Sequence, residues 1–274
     1  MTARFGERML HAALLAIALA FFQVPITWTA LASLGVQPDT TTSPPSWSAP
    51  TLAHFAEVGV AEPGFMDELT TSAIASATAT AVAVTVAFLA AYGLARGTFQ
   101  AARFVPWLLV LASVPVAAYV LPLSELARGT HLDDSLPGVV LAQAAITAPL
   151  AAFVLFGSLS RMPTDTEDAA RIDGAGVLGT LARVTVPALW PSIAATAVVV
   201  FVLAWNSLLV PLLLTDGHVK MIPVAMSDFF TFERELEWPT AAAALIVSFL
   251  PLAALVMASQ SVLDRFTLHE RSRT

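Results

Sequence analysis

Charged side chains are scarce in this sequence, and one stretch gathers several of them. Of the 274 residues, 57% are hydrophobic and 12% are charged, whereas soluble domains carry about 25% charged residues. The stretch EDAARIDGAGVLGTLARVTVPALWP, from Glu167 to Pro191, holds five charged residues and three glycines. These charges can form ion pairs with a partner, but the stretch has no cysteine or histidine to act as a nucleophile or a base.

Residue types and spacing exclude several kinds of site elsewhere in the chain. There is no cysteine, so disulfide and thiolate chemistry is absent. The single lysine, Lys220, does not follow a glycine-rich phosphate loop, and the five histidines form no HExxH pattern. We therefore expect no catalytic residue, no metal site, no bound cofactor and no nucleic-acid partner, and we expect any ATP hydrolysis to occur on another subunit.

Long apolar runs must position the polar stretch. Each is long enough to cross a hydrocarbon core of about 30 Å as a helix. They lie at residues 10–34, 70–95, 104–123, 136–159, 188–214 and 240–262. The first run starts like a signal peptide, but it exceeds the usual apolar segment of about 7–15 residues. The sequence thus predicts an all-α membrane protein of six transmembrane helices that form a single domain, residues 1–274.

The positive charges predict the orientation in the membrane. Ten lie at the termini or in the loops on the same side as the termini, namely Arg4, Arg8, Arg96, Arg103, Arg161, Arg171, Arg183, Arg265, Arg271 and Arg273. Three lie on the other side, namely Arg128, Lys220 and Arg234. Loops rich in Lys and Arg face the cytoplasm. Both termini and the polar stretch are therefore predicted to be cytoplasmic.

The predicted spans contain almost no ionisable residue, which bears on the class of transporter. Proton- and ion-coupled transporters commonly keep acids, bases or broken helices at membrane depth, so a proton-driven carrier is disfavoured. A sodium site built from backbone and hydroxyl oxygens stays open. The polar residues Trp205, Asn206 and Gln143 are candidates for a solute path, although the amides could equally bond between helices for assembly.

A short helix is predicted at the start of the polar stretch. Thr164 and Glu167 have the spacing of a capping box, and acidic residues favour the first turn of a helix. Gly174 suits the left-handed position just beyond the helix end.

A second short helix is predicted from Gly176 to Val184. Leu178, Leu181 and Val184 form its apolar stripe. Pro187 is expected to break the chain, and Pro191 to lie in the first turn of the fifth span.

The spacing within the stretch resembles a known signature. From Asp168 the sequence reads D-A-A, three residues, Gly174, nine residues and V-x-V-P. It is similar to the cytoplasmic E-A-A, three residues, G, nine residues, I-x-L-P signature of permease subunits of binding-protein-dependent ABC importers. The segment ARIDGA resembles the carbohydrate branch of that family. Elsewhere in the chain, AAYGLAR is similar to the end of the family's second helix, AWN to its fifth helix and IPVAM to its last outer loop. Ser207 departs from the family, which often has an acidic residue there.

The resemblance implies a type I ABC importer permease fold and a coupling helix within a cytoplasmic loop at residues 163–187. Small Ala169 and Ala170 would allow close packing against an ATPase, and Glu167 and Asp168 would meet its basic groups. The residues implied in coupling are Glu167, Asp168, Ala169, Ala170, Arg171, Asp173 and Gly174.

The resemblance also implies partners and a cargo. The partners would be a homologous permease subunit, two ATPase subunits that bind ATP and Mg, and an extracytoplasmic solute-binding protein. The complex would lie among the lipids of a bacterial inner membrane. It would import a sugar or a sugar-derived solute by alternating access. The alternatives are a non-sugar solute such as a polyol phosphate, or a secondary transporter acting alone.

Overall fold

The computed structural model describes residues 2–39, 46–61, 64–97, 101–229 and 238–271. These residues are almost entirely helical, as the composition predicts. The elements in chain order are α1 Thr2–Ser33, β1 Pro38–Asp39, β2 Ser46–Trp47, α2 Ala53–Ala61, α3 Phe65–Arg96, α4 Ala101–Ser113, α5 Val116–Gly129, α6 Leu136–Arg161, α7 Asp165–Ile172, α8 Val177–Thr180, a π-helical turn Leu181–Thr185, α9 Val186–Trp205, α10 Leu209–Leu214, α11 Ile222–Asp228 and α12 Trp238–Arg271.

The chain divides into two compact units. The first comprises Met1–Met66 and Ala225–Leu250, and the second comprises Asp67–Val224 and Pro251–Thr274. In the first unit β1 and β2 pair antiparallel. There Glu57 accepts hydrogen bonds from His54 (2.8 Å) and Thr240 (3.0 Å). These two bonds, that of His54 foremost, hold the pKa of the Glu57 carboxyl below its usual range.

Within the described residues, five helical segments are long and apolar enough to cross a membrane. They are Met9–Ser33, Phe65–Arg96, Leu136–Arg161, Val177–Trp205 and Trp238–Gln260. A sixth crossing is possible if Arg103–Ser113 and Val116–Gly129, which meet at a bend of 90°, form one span. The predicted runs therefore coincide with helices.

Two of the predicted spans are not single helices. The run at 104–123 is interrupted before Val116, because Pro115 has an extended ψ of 138° and no backbone N–H. The run at 188–214 stops at Trp205, where Asn206 ends the helix with a ψ of 6°, and α10 begins at Leu209. Hydropathy averaged over a span does not reveal either interruption, because the flanking residues are strongly apolar and Asn206 and Ser207 are only two polar residues among them.

The second unit packs α3, α6 and α9 closely together. Ala83, Ala87 and Ala91 follow one face of α3 at intervals of four residues, and all three are buried. They share a core with Leu155 and Leu159 of α6. Small side chains let membrane helices approach each other closely, so α3 and α6 form a compact support for the elements that follow.

The start of α6 is fixed by a close backbone contact. A Cβ atom added at Gly138 would lie 2.0 Å from the carbonyl oxygen of Leu132. The Ser135 hydroxyl caps the helix by accepting from the Gly138 N–H at 3.2 Å, and it donates to the Leu132 carbonyl at 2.6 Å. Only glycine fits this approach.

Candidate functional site

The predicted short helix is present as α7. It spans eight residues, with Asp165, Glu167 and Asp168 in its first turn. Gly174 follows its end with a φ of +85°, and its N–H donates to the Arg171 carbonyl. A left-handed residue of this kind redirects the chain sharply, so the predicted role of Gly174 in the local structure is confirmed.

The predicted capping box is wrong. Thr164 has a helical conformation, with φ of −81° and ψ of −18°, and its side chain makes no capping bond. Glu167 does not reach back to the helix start, because its carboxylate is held from the other side by residues distant in sequence.

Glu167 is the centre of a buried group that we name the coupling cluster, formed by Arg96, Met162, Glu167 and Thr185. Arg96 Nε donates to Glu167 Oε2 at 2.9 Å, and Arg96 Nη2 donates to the Met162 carbonyl at 3.1 Å. The Thr185 hydroxyl donates to Glu167 Oε1 at 2.9 Å. The Glu167 carboxylate thus joins the end of α3 to the π-helical turn before α9, and Arg96 in turn bonds the end of α6.

The burial of Glu167 corrects one expectation. We expected Glu167 and Asp168 to present their charges to a partner, but Glu167 is 0% exposed. A carboxylate leaves water only where a partner charge and hydrogen bonds compensate it, and Arg96 and Thr185 supply these. Glu167 therefore faces inward, whereas Asp168 faces solvent.

The other predicted coupling residues lie on or near the exposed side of α7. Asp168, Ala169, Arg171, Asp173 and Gly174 are exposed, and Ala170 is half-buried. The Arg171 side chain donates to Asp168 Oδ1 at 3.2 Å and to the Tyr92 hydroxyl at 3.4 Å. The bond to Tyr92 raises the pKa of Arg171.

The segment after Gly174 departs from the predicted break. The chain is helical without interruption from Val177 to Trp205, and Pro187 lies within that helix. The π-helical turn at Leu181–Thr185 precedes the proline, and its wider hydrogen-bond pattern accommodates a residue that has no backbone N–H.

Exposed apolar side chains surround the turn at Gly174. Leu178 was expected to share a stripe with Leu181 and Val184, but it is 79% exposed, whereas Leu181 packs against the α3–α6 core. Ile172 is likewise 86% exposed. Together with α7 these residues form a protruding surface that carries both charged and apolar groups.

A cavity of about 540 Å³ lies in the second unit, between the two helix interruptions. Its wall includes residues 111, 112, 114 and 116 beside the first interruption and residues 202–204 and 206–210 around the second, with residues of α6 between them. No Asp, Glu, Lys, Arg or His is among the lining residues. Interrupted helices at membrane depth are tolerated where they line a cavity, and they often form solute sites.

Several polar groups of this central cavity donate hydrogen bonds within the protein. The Gln143 amide nitrogen donates to the Ala204 carbonyl at 3.2 Å, and that of Asn206 donates to the Val202 carbonyl at 2.8 Å. The hydroxyls of Tyr119 and Thr147 donate to the carbonyls of Leu111 and Gln143. Oε1 of Gln143 is buried without a hydrogen-bond partner. The wall therefore offers acceptors together with the hydroxyl of Ser207, which also lines the cavity.

Of the three residues predicted for the solute path, the structure brings two to the cavity. Gln143 and Asn206 line it, whereas Trp205 does not. The Trp205 indole is 4% exposed and stacks on Phe201 with ring centres 5.8 Å apart. Trp205 is therefore a packing residue of α9 in this structure.

The sequence did not indicate two members of the coupling cluster. Arg96 counted there as one of many positive charges and as the last residue of AAYGLAR, and Thr185 is the variable position of V-x-V-P. Arg96 lies 71 residues from Glu167 in sequence, so no local spacing connects them. The arginine at the very end of a span is the one signal that could have pointed to it.

The sequence and the fold of this chain are similar to those of known proteins. Residues 83–269 match the family described as the binding-protein-dependent transport system inner membrane component. A putative ABC transporter permease protein of Streptomyces antibioticus is 36% identical over 174 residues, which cover 63% of this chain and 76% of that protein. A sulfoquinovosyl glycerol transport system permease protein of Agrobacterium fabrum is 28% identical over 247 residues, which cover 86% and 84%.

Further likenesses cover nearly the whole chain. A trehalose/maltose transport system permease protein of Thermococcus litoralis is 28% identical over 240 residues, 86% of either chain. The crystal structure of a bacterial ABC transporter involved in the import of the acidic polysaccharide alginate gives a TM-score of 0.76 at 17% identity, over 94% of this chain and 96% of that one. The fold is thus that of a type I ABC importer permease, and the chain belongs to the family of inner-membrane components of binding-protein-dependent transport systems, as a multi-pass permease subunit.

Proposed function

We propose that this permease subunit imports an uncharged, hydroxyl-rich solute of the carbohydrate class. The central cavity is the observation that carries the proposal. An ion that enters an apolar cavity loses its hydration, which is costly unless an opposite charge replaces it, and no acidic or basic side chain lines this wall. A neutral solute avoids that cost.

The remaining hydrogen-bonding capacity supports the same class of solute. Carboxylate and phosphate groups only accept hydrogen bonds when ionised, and the amide of Gln143 and the hydroxyls of Tyr119 and Thr147 already donate within the protein. Sugar hydroxyls can donate to acceptors such as Asn206 Oδ1. The absence of a basic side chain from the lining disfavours the polyol phosphate alternative. The names of the relatives cover a range of carbohydrate solutes, and the structural neighbour imports an acidic one, so the charge of the solute is proposed from the cavity alone.

The coupling to ATP is proposed to occur through α7. The excess of positive charge on its side of the membrane supports a cytoplasmic position for this helix and for both termini. Its exposed residues Asp168 and Ala169 and the half-buried Ala170, with Ile172 and Leu178 beside them, form a surface of small, charged and apolar groups that suits a protein partner. We propose that each of two ATPase subunits binds ATP and Mg, and that one of them contacts this surface.

The rest of the assembly follows from the same proposal. A homologous permease subunit would complete the path, and an extracytoplasmic solute-binding protein would deliver the solute. The crystallised alginate transporter was also solved in complex with its alginate pentasaccharide-bound periplasmic protein. Alternating access would result from ATP-driven displacement of α7 and the helices joined to it.

Reconstitution tests the proposal. The complete assembly is placed in liposomes with its binding protein, and uptake is measured for neutral disaccharides, for their uronic-acid or phosphate derivatives, and for polyol phosphates. We expect ATP-dependent uptake of a neutral sugar. Preferential uptake of an anionic solute would overturn the solute class, and uptake by this chain alone without ATP would overturn the permease assignment in favour of a secondary transporter.

A further inference from the structure

Glu167 precedes the signature that begins at Asp168, and its placement is unlike that of any other acidic residue of α7. It is 0% exposed, whereas Asp165 and Asp168 in the same turn face solvent. It therefore cannot contact an ATPase in this conformation. A buried carboxylate outside the partner-facing surface needs a different explanation.

Both carboxylate oxygens of Glu167 are occupied by different parts of the chain. Oε2 accepts from Arg96 at the end of α3, and Oε1 accepts from Thr185 in the π-helical turn, each at 2.9 Å. Thr185 is itself 0% exposed. Charge-assisted hydrogen bonds are shorter and stronger than neutral ones, so these bonds join α7 firmly to both elements.

The π-helical turn continues directly into α9. That helix runs from Val186 to Trp205 and ends at Asn206 beside the central cavity. A helix of 20 residues is a stiff rod of about 30 Å. A displacement of α7 that Glu167 passes to Thr185 would therefore reach the wall of the cavity.

We propose that Glu167 is a positioning residue that locks α7 to α3 and α9, so that movement of α7 is converted into movement at the cavity. This proposal rests on the proposed import function, because the movement at the cavity matters only if the cavity carries the solute. Short π-helical turns within α-helices are often found at functional sites. Arg96 fixes the resting position of the carboxylate, and Thr185 is the contact that transmits its displacement.

The first experiment measures ATP hydrolysed per solute imported by the complete assembly in liposomes. Glu167→Gln keeps the shape but removes the charge, and Thr185→Val removes only the hydroxyl. We expect both variants to assemble and hydrolyse ATP, with the ratio rising about fivefold or more in Glu167→Gln and less in Thr185→Val. Asp165→Asn, which removes an exposed charge from the same turn, should keep the ratio of the native protein.

A merely structural role would lower uptake and hydrolysis together and leave the ratio unchanged, which would overturn the proposal. If Glu167→Gln does not assemble, Thr185→Val decides, because it leaves the ion pair intact. Absence of ATP-driven uptake by the native assembly would instead count against the proposed function.

A second measurement does not depend on the solute. The chain has no cysteine, so single cysteines at the exposed positions Thr166 in α7 and Val199 in α9 can carry spin labels without further changes. We expect one narrow distance distribution in the native assembly and a broad one in Glu167→Gln. Equal distance distributions in the two proteins would contradict the proposed role of Glu167 in holding α7 to α9.

Discussion

The coupling cluster and the central cavity differ in how the protein handles polarity away from water. In the cluster a full charge is buried, and each oxygen of Glu167 has a donor within 2.9 Å. In the cavity no acidic or basic side chain is present, and an acceptor, Gln143 Oε1, is left unpaired. Both regions are built on the same helices, α6 and α9.

This difference indicates which parts of the subunit are fixed and which are open to a ligand. A paired, fully hydrogen-bonded charge is satisfied in one geometry and costs a great deal to disturb. An uncharged wall with spare acceptors can exchange its hydrogen bonds with a passing solute. The comparison can be tested from both sides.

The largest effect is expected at the exposed side of α7. A Cβ at Gly174 meets no atom within 4 Å, so a large side chain has room there, but the φ of +85° strains any residue other than glycine. Ala169 is exposed within α7 and carries no such strain. Gly174→Trp and Ala169→Trp should therefore insert normally and abolish ATP-driven uptake, because the partner can no longer approach. Uptake by reconstituted assemblies is the measurement.

The matched control for these variants is Leu126→Trp, which adds the same bulk at an exposed position of α5. It should keep full uptake. Uptake at native rates by both Gly174→Trp and Ala169→Trp would contradict the docking of α7 on an ATPase.

The second prediction breaks the coupling cluster itself. Arg96→Gln leaves the Glu167 carboxylate, 1% exposed, without its cation, and losing one partner of a buried pair costs about 3–5 kcal/mol. We expect a lower melting temperature of the purified assembly. The double variant Arg96→Gln/Glu167→Gln should recover part of the loss, since no charge then stays unpaired. A native melting temperature for Arg96→Gln would show that the pair is solvated.

These two regions also show which features of the site can be predicted from the sequence. The helix α7, its glycine exit and its family were predictable because they depend on residues close together in sequence. The burial of Glu167 was not predictable, because tertiary packing brings its partners Arg96 and Thr185 close to it. Local capping rules predicted that Glu167 would bond back to the helix start at Thr164. In the structure the buried ion pair with Arg96 forms in place of that bond.

The third prediction concerns the close backbone contact at Gly138, which fixes the start of α6. Gly138→Ala would place a Cβ 2.0 Å from the Leu132 carbonyl, and the strain of such overpacking is about 1–3 kcal/mol. We expect thermal destabilisation and poorer yield. Gly157→Ala on the same helix meets only Arg161 at 3.8 Å and should be neutral or slightly stabilising. Equal melting temperatures for the two variants would contradict the close contact.

The cavity could be anticipated only in part. The amides of Gln143 and Asn206 stood out in apolar runs, and both line the cavity. The helix interruptions that create it were hidden, because Pro115 and Asn206 lie in runs whose hydropathy continues unbroken. Trp205 was predicted because an aromatic ring beside an amide suits the ring faces and hydroxyls of a sugar, but in the structure its ring stacks on Phe201.

The fourth prediction tests the spare acceptors of the cavity. Asn206→Leu keeps the approximate size of the side chain but removes Oδ1 and the donor to Val202. The loss of one neutral hydrogen bond to the solute should lower uptake about fivefold, with ATP hydrolysis per solute little changed. Unaltered uptake of every neutral sugar tested would remove Asn206 from the solute path.

The smallest effect is expected for a second ion pair that lies only a few residues from the coupling cluster. Arg171 and Asp168 are 3.2 Å apart, with side chains 44% and 55% exposed. Solvated pairs one helical turn apart contribute about 0.3–0.5 kcal/mol, because water and salt screen them. Arg171→Gln should therefore leave the melting temperature of the assembly almost unchanged, whatever it does to docking. The contrast with Arg96→Gln identifies burial as the cause of the larger loss of stability, since both variants remove the arginine partner of an acidic residue in the same helix. An equal fall in melting temperature for Arg171→Gln and Arg96→Gln would show that the exposed and the buried ion pair are equivalent. The distinction between the outer and inner sides of α7 would then not hold.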